Sequence, residues 1–414
     1  MNSTIIEDVK ARKIVDSRGN WTIEVDIITN SGFGRCAAPS GASTGKYEVK
    51  AFPNGVDKSI LKIEKAVAPE LVGMDSEEQE RIDSVLKGVN GTKDFSNVGG
   101  NAAVAVSLAN ARAAANALDL PLYHYLGSNF STDLPFPLGN VIGGGVHAFK
   151  GPDIQEFLVL PVGAPTIDAA VQVNSKVHKL AGEFLKGGNK SLGRGDEGAW
   201  APDLKDSDAL ETLSKACSEA SDATGIELRL GVDVAASELW DAKKEKYVYK
   251  KEGVERSREE QIAYIFELIK DYSLYYVEDP LEENDFDGFA ELTKKAGCLI
   301  CGDDLYATNT ERMEKGIEIE ATNSALIKPN QCGTLTDTYR AINLAKNKDL
   351  VPVLSHRSGE TPDDTIAHLA VAFKCPIIKA GIVGGERIAK LNELIRIAEE
   401  LMPQHAKMAT LLKF

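Results

Sequence analysis

The sequence predicts an α/β protein with an eightfold β/α barrel and a smaller N-terminal α+β capping domain. Short apolar runs that end in polar residues recur along the second part of the chain, at positions 233, 278, 303, 328, 356 and 379. Amphipathic helical stretches separate these runs, and intervals of about 25 to 30 residues suit one strand plus one helix. The roughly 275 residues concerned approach the ~250 of such a barrel. Strands that alternate with helices predict a parallel sheet.

A doubly wound open sheet is the competing layout for the same pattern. The barrel is favoured because chemically useful side chains end strand after strand, and barrel active sites are built at the C-terminal face from several strand ends. The segment 128–140 carries two prolines and several turn formers, which are typical of a boundary. We therefore predict a capping domain over 1–130 and a barrel domain over 137–414.

The N-terminal part predicts a strand, a turn, a partner strand and then helices. Residues 21–30 alternate between apolar and polar side chains, Ser31 and Gly32 supply a turn, and 32–40 is the predicted partner strand. Small residues and glycines dominate 39–45, which predicts a mobile loop. Helical patterns then cover 57–70, 76–88 and 100–126, and Gly127 ends the last of them.

The charge balance limits the kinds of partner. The 414 residues include 62 Asp and Glu against 47 Lys and Arg, for a net charge of −15. Nucleic acid or a membrane surface would need a basic footprint, and the balance also argues at first against an anionic substrate. Six cysteines are too few for a disulfide scaffold. With no apolar segment typical of a signal peptide or a membrane helix, we expect a soluble cytoplasmic protein.

Three carboxylates close three successive predicted strands and suggest a metal site. Asp233, Glu278 and Asp303 supply only oxygen ligands, and a hard cation such as Mg²⁺ prefers them over the nitrogen and sulfur ligands typical of Zn²⁺. Acidic residues are also common after strands as helix N-caps. Three of them in one register, followed by Lys328, His356 and Lys379, make the N-cap reading the weaker one.

Lys328 is a candidate general base. It ends the apolar run Ala-Leu-Ile, so we expect a desolvated amine close to a metal, and both effects would lower its pKa. A lysine whose ammonium extends out of the barrel into water is an equally good reading of this residue alone.

Further polar residues gather in loops that a barrel would bring together. His356, Arg357 and Ser358 on one tight loop form a suitable clamp for a phosphate or carboxylate. His147 follows three glycines. Two further pairs of polar residues are candidates: Gln155 with Glu156, and Asp196 with Glu197. Any one of these could be a solvated loop residue.

Two other motifs fail on inspection. The segment PSGASTGKY resembles a phosphate-binding P-loop, but Ser40 replaces its first glycine and Tyr47 its Ser or Thr. Cys298 and Cys301 have CxxC spacing within a strand pattern, where residues three apart face opposite sides. No GxGxxG follows a strand, so a dinucleotide site has no support.

The motifs together resemble the enolase (phosphopyruvate hydratase) family, and the length resembles its compact, archaeal-type members. The matching stretches run in order along nearly the whole chain: DSRGN, APSGASTG, GGVHAFKGPDIQEF, GRGDEG, GVDVAASE, VEDPLEEND, CGDDLYATN, IKPNQCGT, SHRSGET and ERIAKLNELIRI. The stretches SGASTG, GDEG and SHRSGET are specific to that family rather than to barrels in general.

The resemblance implies a glycolytic and gluconeogenic hydro-lyase that interconverts 2-phosphoglycerate and phosphoenolpyruvate with two Mg²⁺ ions. It implies that Asp233, Glu278 and Asp303 bind the first ion, and that Ser43 joins a second ion that arrives with substrate. Lys328 would remove the C2 proton and Glu197 would protonate the departing hydroxide. Lys379 would neutralise the carboxylate, and Arg357 and Ser358 would hold the phosphate. The resemblance implies that the pocket is lined by His147, Gln155, Glu156 and His356. It also implies a part in catalysis for two of these residues, Glu156 and His147.

The resemblance also implies a homodimer or an octamer, with an intersubunit pair that falls on Glu24 and Arg396. The chain departs from the family pattern at Trp21, at Ala199 and Trp200, after Lys379 and after the glycine-rich loop, but no implied catalytic residue is lost. Two alternatives remain: a paralogue that acts on another carboxylic acid, and an enolase-like binding protein without turnover.

Overall fold

A computed structural model describes residues 3–42, 45–148, 150–187, 192–402 and 406–414. Its N-terminal part is a three-stranded antiparallel sheet in the order β1-β2-β3, covered by helices. The elements of this part are β1 (Ile6–Val15), β2 (Trp21–Thr29), β3 (Phe33–Ala37), α1 (Val56–Lys62), a π-helical turn (Ile63–Val67), α2 (Ala68–Leu71), α3 (Gln79–Asn90), α4 (Gly100–Ala117) and α5 (Leu122–Gly127).

The predicted strands β2 and β3 are present, with Ile23, Val25 and Ile27 fully buried on the helix-facing side. Strand β1, which pairs with β2 along its whole length, was not predicted. The single helix expected over 100–126 is two helices. Pro121 has no N–H to donate and disfavours a helical residue before it, so α4 ends at Ala117 and α5 begins after the proline.

The second part of the chain confirms the predicted barrel. Within the described residues, eight strands close into one sheet in the order β5-β6-β9-β13-β14-β15-β16-β17, and β17 pairs back onto β5. Their bounds are β5 (Phe136–Gly143), β6 (Glu156–Leu160), β9 (Arg229–Asp233), β13 (Tyr276–Glu278), β14 (Leu299–Gly302), β15 (Ser324–Ile327), β16 (Val351–Ser355) and β17 (Ile377–Lys379).

The expectation of an all-parallel sheet is wrong at one strand. β6 runs antiparallel to both β5 and β9, while the other neighbours in the barrel pair in parallel. Twelve residues, 144–155, join β5 to β6, and the helical structure among those described (144–148 and 150–155) is one 3₁₀ turn (Gly145–His147). A parallel crossover usually contains an α-helix that carries the chain back along the sheet, and the described part of this connection has none, in agreement with the antiparallel direction.

Helices surround the barrel, and short strands extend its ends. The helices are α6 (Ile167–Gly187), α7 (Asp206–Thr224), α8 (Ala236–Leu239), α9 (Arg258–Tyr272), α10 (Phe286–Ala296), α11 (Thr310–Glu318), α12 (Pro329–Cys332), α13 (Leu335–Asn347), α14 (Thr365–Ala372) and α15 (Gly385–Leu401). The short strands are β4 (Asp133–Leu134), β7 (Leu192–Arg194), β8 (Trp200–Pro202), β10 (Trp240–Asp241), β11 (Lys246–Tyr249), β12 (Val254–Arg256) and β18 (Lys407–Met408). None of the helices in the described ranges has the length and apolar character needed to cross a membrane.

The packing of α4 on β3 predicts the effect of a substitution at Gly34. A Cβ atom there would lie 2.0 Å from the carbonyl oxygen of Ala109 and 2.4 Å from the nitrogen of Ala113. Because backbone cannot move aside as a side chain can, we expect Gly34→Ala to destabilise the protein by about 3 kcal/mol or more. Urea unfolding followed by circular dichroism measures the change.

Gly88→Ala is the matched control. Gly88 lies on the exposed face of α3 with nothing within 4 Å of an added Cβ, so alanine should stabilise the helix by up to ~1 kcal/mol. Equal unfolding midpoints for the two variants would contradict the close packing of β3 against α4.

Candidate active site at the mouth of the barrel

The strand ends bring the predicted site residues to one end of the barrel, which we call the mouth. Asp233 and Glu278 are the last residues of the adjacent strands β9 and β13 and are register partners. Each of the other strand-end residues either ends its strand or directly follows it: Asp303 after β14, Lys328 after β15, His356 after β16 and Lys379 at the end of β17.

Buried negative charge dominates this mouth. The pocket lining includes seven Asp and Glu side chains but only three Lys and Arg. The ammonium of Lys379 lies among three carboxylates, 3.1 Å from Asp233 Oδ2, 2.8 Å from Glu278 Oε2 and 3.1 Å from Glu156 Oε2. Burial raises the pKa of Glu278 well above its usual range, and the charge of Asp233 adds to this effect. The carboxylates keep the pKa of Lys379 well above its ordinary value despite its burial.

Lys328 departs from the prediction in its ionisation. Its ammonium is buried and pairs with the carboxylate of Asp303. Burial alone would lower the pKa of Lys328, but the contact with Asp303 raises it above its ordinary value. The expectation of a lowered pKa treated Asp303 as a metal ligand only, whereas its charge is also in direct contact with the amine.

The donor set fits a hard divalent cation. The oxygens of Asp233, Glu278 and Asp303 come from three adjacent strands, and the surrounding charge is negative overall. In the described part of the chain, the tightest groupings of potential ligand atoms are His147-Glu156-Glu197, Asp279-Asp303-Asp304 and Asp364-His368-Glu393. The predicted trio is not among them, because Lys379 lies between Asp233 and Glu278 while Asp303 faces Lys328.

The predicted anion clamp lies where the capping region meets the barrel. Arg357 donates two hydrogen bonds to Glu48, at 2.9 and 3.0 Å, and a third to Asn330. The Ser358 hydroxyl accepts a hydrogen bond from the Ala42 amide at 2.5 Å. Ser43, the predicted ligand of the second ion, lies outside the described residues, directly after Ala42.

Arg387 holds this clamp from behind. Its fully buried guanidinium donates to Nδ1 of His356 at 2.7 Å and to the carbonyls of Arg357 and Ser358. Because Nδ1 of His356 accepts this bond, Nε2 carries the ring proton and faces Glu197 Oε2 at 3.3 Å. Burial and the nearby cation lower the pKa of His356 to about 3, so the ring is neutral at pH 7.

A second acid cluster lies beside the first. His147, Glu156 and Glu197 are all buried and close together, with His147 Nδ1 3.4 Å from Glu156 Oε1. Burial opposes the charge on His147, but contact with Glu156 and the charge of Glu197 raise its pKa above the ordinary value. Burial also raises the pKa of Glu156, whereas the His356 N–H and nearby cations lower that of Glu197 despite burial. These shifts favour a proton on His147 and Glu156 over one on Glu197.

Comparison with known proteins agrees with this geometry. The N-terminal domain of enolase matches residues 6–126, and the enolase C-terminal TIM barrel domain matches residues 131–410. The enolase of Methanosphaera stadtmanae is 58% identical over 96% of this chain and 98% of its own length. Those of Methanothermobacter thermautotrophicus and Methanocorpusculum labreanum are 56% and 54% identical and also cover nearly their full lengths.

The chain belongs to the enolase family. The predicted family and fold class are confirmed by these matches. The division at 130 and 137 stays a prediction, as do the individual roles of the site residues. The departures from the family pattern at Ala199 and Trp200 lie close in sequence to Glu197.

Trp200 and His178 support the turn that carries Glu197. Glu197 has a φ of +65°, an unusual value for a residue with a side chain. The carbonyl of the next residue, Gly198, lies 3.0 Å from Nε2 of His178, whose ring stacks on Trp200. The Trp200 indole in turn donates to the His178 carbonyl at 2.7 Å. The tryptophan of this chain therefore packs behind the acid cluster and does not block it.

Sequence reasoning missed several residues of the site. Glu48, Asn140, Gln331 and Arg387 all contact predicted site residues directly. Gln331 lies within the family-like stretch IKPNQCGT, and Glu48 lies in the segment after the glycine-rich loop that departs from the family pattern. Neither is at a strand end, so the register argument could not find them. Arg387 belongs to the motif ERIAKLN at the start of α15. In the sequence it could not be told apart from the other charged residues of that amphipathic helix.

The position of Asp206 predicts a pH dependence of stability. Its Oδ1 accepts a hydrogen bond from the Ile154 amide at 3.0 Å, just before Gln155 and Glu156. Burial raises the pKa of Asp206 from 3.8 to about 7, and the charges of Asp153 and Glu252 add to this. Between pH 3.8 and about 7, Asp206 therefore stays protonated in the folded state, whereas in the unfolded chain it has lost its proton. Asp206 should destabilise the fold increasingly as the pH rises from about 4 to 7.

We expect Asp206→Asn to remove this pH-dependent destabilisation, because asparagine does not ionise. The free energy of unfolding of the variant, relative to the wild type, should increase by about 1 to 4 kcal/mol between pH 4 and 7, measured by urea unfolding. Asp287→Asn, at an exposed carboxylate in the first turn of α10, is the control and should give a profile parallel to the wild type. A parallel profile for Asp206→Asn would contradict the argument.

Proposed function

We propose that the protein is a Mg²⁺-dependent enolase that reversibly dehydrates 2-phosphoglycerate to phosphoenolpyruvate, in glycolysis and gluconeogenesis. One observation carries the proposal beyond the family match. A single pocket is lined by a lysine, by carboxylates suited to a metal, by an arginine-serine anion clamp and by a buried cluster able to hold a proton. These are the groups that removal of a proton beside a carboxylate, followed by loss of a hydroxide, requires.

We assign the proton transfers to Lys328 and Glu197. Lys328, whose side chain lines the pocket, would take the C2 proton as a neutral amine, a form that would become accessible when a cation bound at Asp303 replaces the contact that raises its pKa. Glu197 would deliver a proton to the hydroxide that leaves C3. Because its own pKa is low, the proton would come from the neighbouring His147 and Glu156, which are close enough to exchange it.

We assign substrate binding to groups around these two residues. Arg357 and Ser358 would hold the phosphate, and the Lys379 ammonium would face the carboxylate as negative charge grows on it. His147, Gln155, Glu156 and His356 would complete the pocket wall, which is supported by their place in its lining. Gln155 also donates to Asp233 Oδ2 at 3.3 Å, which links the wall to the acidic strand ends.

We propose that Asp233, Glu278 and Asp303 hold the first Mg²⁺, and that Ser43 contributes to a second ion that arrives with substrate. Two dications would offset the negative excess of the pocket and stabilise the charge that forms on the substrate carboxylate. The excess of acids over bases in the lining supports this charge requirement. The net charge of −15 is therefore compatible with an anionic substrate, because bound cations reverse its sign locally.

We further propose a cytoplasmic homo-oligomer, a dimer or an octamer, with Glu24 and Arg396 paired between subunits. Within one chain Glu24 contacts Arg12 at 2.6 Å, and Arg396 contacts Glu393 at 2.6 Å. Arg396 is more than half exposed, which leaves its side chain accessible to a second subunit.

Lys328→Ala tests the proposed base. Removal of a general base at this position should lower kcat for 2-phosphoglycerate by about 10²- to 10⁴-fold. The ultraviolet absorbance of the phosphoenolpyruvate formed measures the rate. Lys244→Ala is the control, since that lysine is exposed and pairs with Glu255 on a surface hairpin. Inert wild type, or equal activity in Lys328→Ala, would refute the proposal. A screen of non-phosphorylated carboxylic acids would then test for a paralogue with another substrate.

Asp303→Asn tests the proposed metal ligand. We expect the Mg²⁺ concentration for half-maximal activity to rise at least about 10-fold, and the Mg²⁺-dependent increase in melting temperature to require correspondingly more ion. Asp364→Asn serves as control because it removes a carboxylate from the separate Asp364-His368-Glu393 grouping. Full activity after exhaustive chelation would contradict a metal requirement.

A further inference from the structure

Glu48, in the capping region, makes a two-bond contact with Arg357 of the anion clamp. Its side chain is buried, and its two oxygens each accept one hydrogen bond from the Arg357 guanidinium, at 2.9 and 3.0 Å. A bidentate pair of this kind fixes the plane of the guanidinium as well as its position. The same carboxylate accepts a hydrogen bond from the amide of Gly45, the last residue of the glycine-rich loop, at 2.9 Å.

Gln331 continues this contact to the metal-site side of the pocket. Its amide nitrogen lies 3.3 Å from Glu48 Oε1 and 3.1 Å from Asp303 Oδ1, so it donates to both. Its amide oxygen accepts the Thr308 hydroxyl at 2.6 Å, and the Thr308 oxygen accepts the backbone N–H of Lys328. Gln331 is fully buried, so it keeps these partners and holds Arg357 and Asp303 at a fixed separation through Glu48.

We propose that Glu48 is a positioning residue of the phosphate subsite. It orients Arg357 and, through Gln331, keeps that guanidinium in register with Asp303. The phosphate of the substrate then meets a preformed cation at the correct distance from its carboxylate, which lowers the cost of binding. This inference rests on the proposed function for the identity of the substrate, but its central claim concerns the binding of phosphate by Arg357.

The test is Glu48→Gln, which keeps the size of the side chain but removes its charge and one of its two acceptor oxygens. Affinity for inorganic phosphate, measured by calorimetry in the presence of Mg²⁺, should fall about 10-fold. KM for 2-phosphoglycerate should rise by a similar factor while kcat changes less than about 3-fold. Glu48→Asp keeps the charge with a shorter reach and should give an intermediate value.

Asp364→Asn is the matched control. Asp364 also pairs with an arginine, Arg112, between the capping region and the barrel, but away from the pocket. Loss of stability alone should therefore affect both variants, whereas loss of phosphate affinity should appear only for Glu48→Gln. Melting temperatures of all variants show whether each is folded at the assay temperature.

A double-mutant cycle tests whether Glu48 acts through Arg357. In the Arg357→Lys background, Glu48→Gln should change phosphate affinity less than about 2-fold. Unchanged or tighter phosphate binding by Glu48→Gln, no phosphate binding by the wild type, or effects that multiply in the double variant would each overturn the inference. If the wild type fails to turn over 2-phosphoglycerate but the phosphate results hold, only the proposed function is refuted.

Discussion

The accumulation of buried carboxylates around one lysine is the constraint on which the rest of the site depends. Asp233, Glu278 and Glu156 come within 3.1 Å of Lys379, and all four side chains are buried. Buried charges are tolerated only when opposite charge lies close by, and one ammonium does not balance three carboxylates. The resulting excess, together with burial, raises the pKa values of Glu278 and Glu156. The dication proposed for this site would offset the same excess.

The capping region is held to this mouth by polar contacts. Backbone N–H groups and carbonyls of Ser40 and Gly359 bond reciprocally at 2.7 and 2.8 Å, beside the pair between Glu48 and Arg357. Further from the pocket, Asp83 on α3 accepts hydrogen bonds from Thr336 at the start of α13. Each of these contacts has directional geometry, so the capping region has one defined position on the barrel. Gly41, directly after Ser40, lines the pocket at a point that these contacts with the barrel determine.

The register of the strand ends could be predicted, whereas the contacts between side chains could not. Six polar residues at regular intervals suffice to place Asp233 to Lys379 at one end of a barrel, because every parallel strand of a barrel presents its C-terminus there. The raised pKa of Lys328 depends on its contact with Asp303, which sequence spacing does not specify. Glu48 and Arg387 were missed for the same reason, since each acts from an element without a strand-end signal. Strand β1 was missed because the apolar residues of its sequence, IEDVKARKIV, do not recur at every second position.

The antiparallel strand β6 explains how Glu156 reaches the mouth. In a parallel strand the residue at the mouth is the last one, which for β6 would be Leu160. Because β6 runs the other way, its first residue lies there, and Glu156 is the register partner of both Gly143 and Asp233. The short connection from β5 keeps His147 and Gln155 at the same end. Reversal of a single strand therefore places two neighbouring segments of chain at the mouth, and these supply His147 and Glu156 of the acid cluster, beside Asp233. A barrel with eight parallel strands would need another element to provide them.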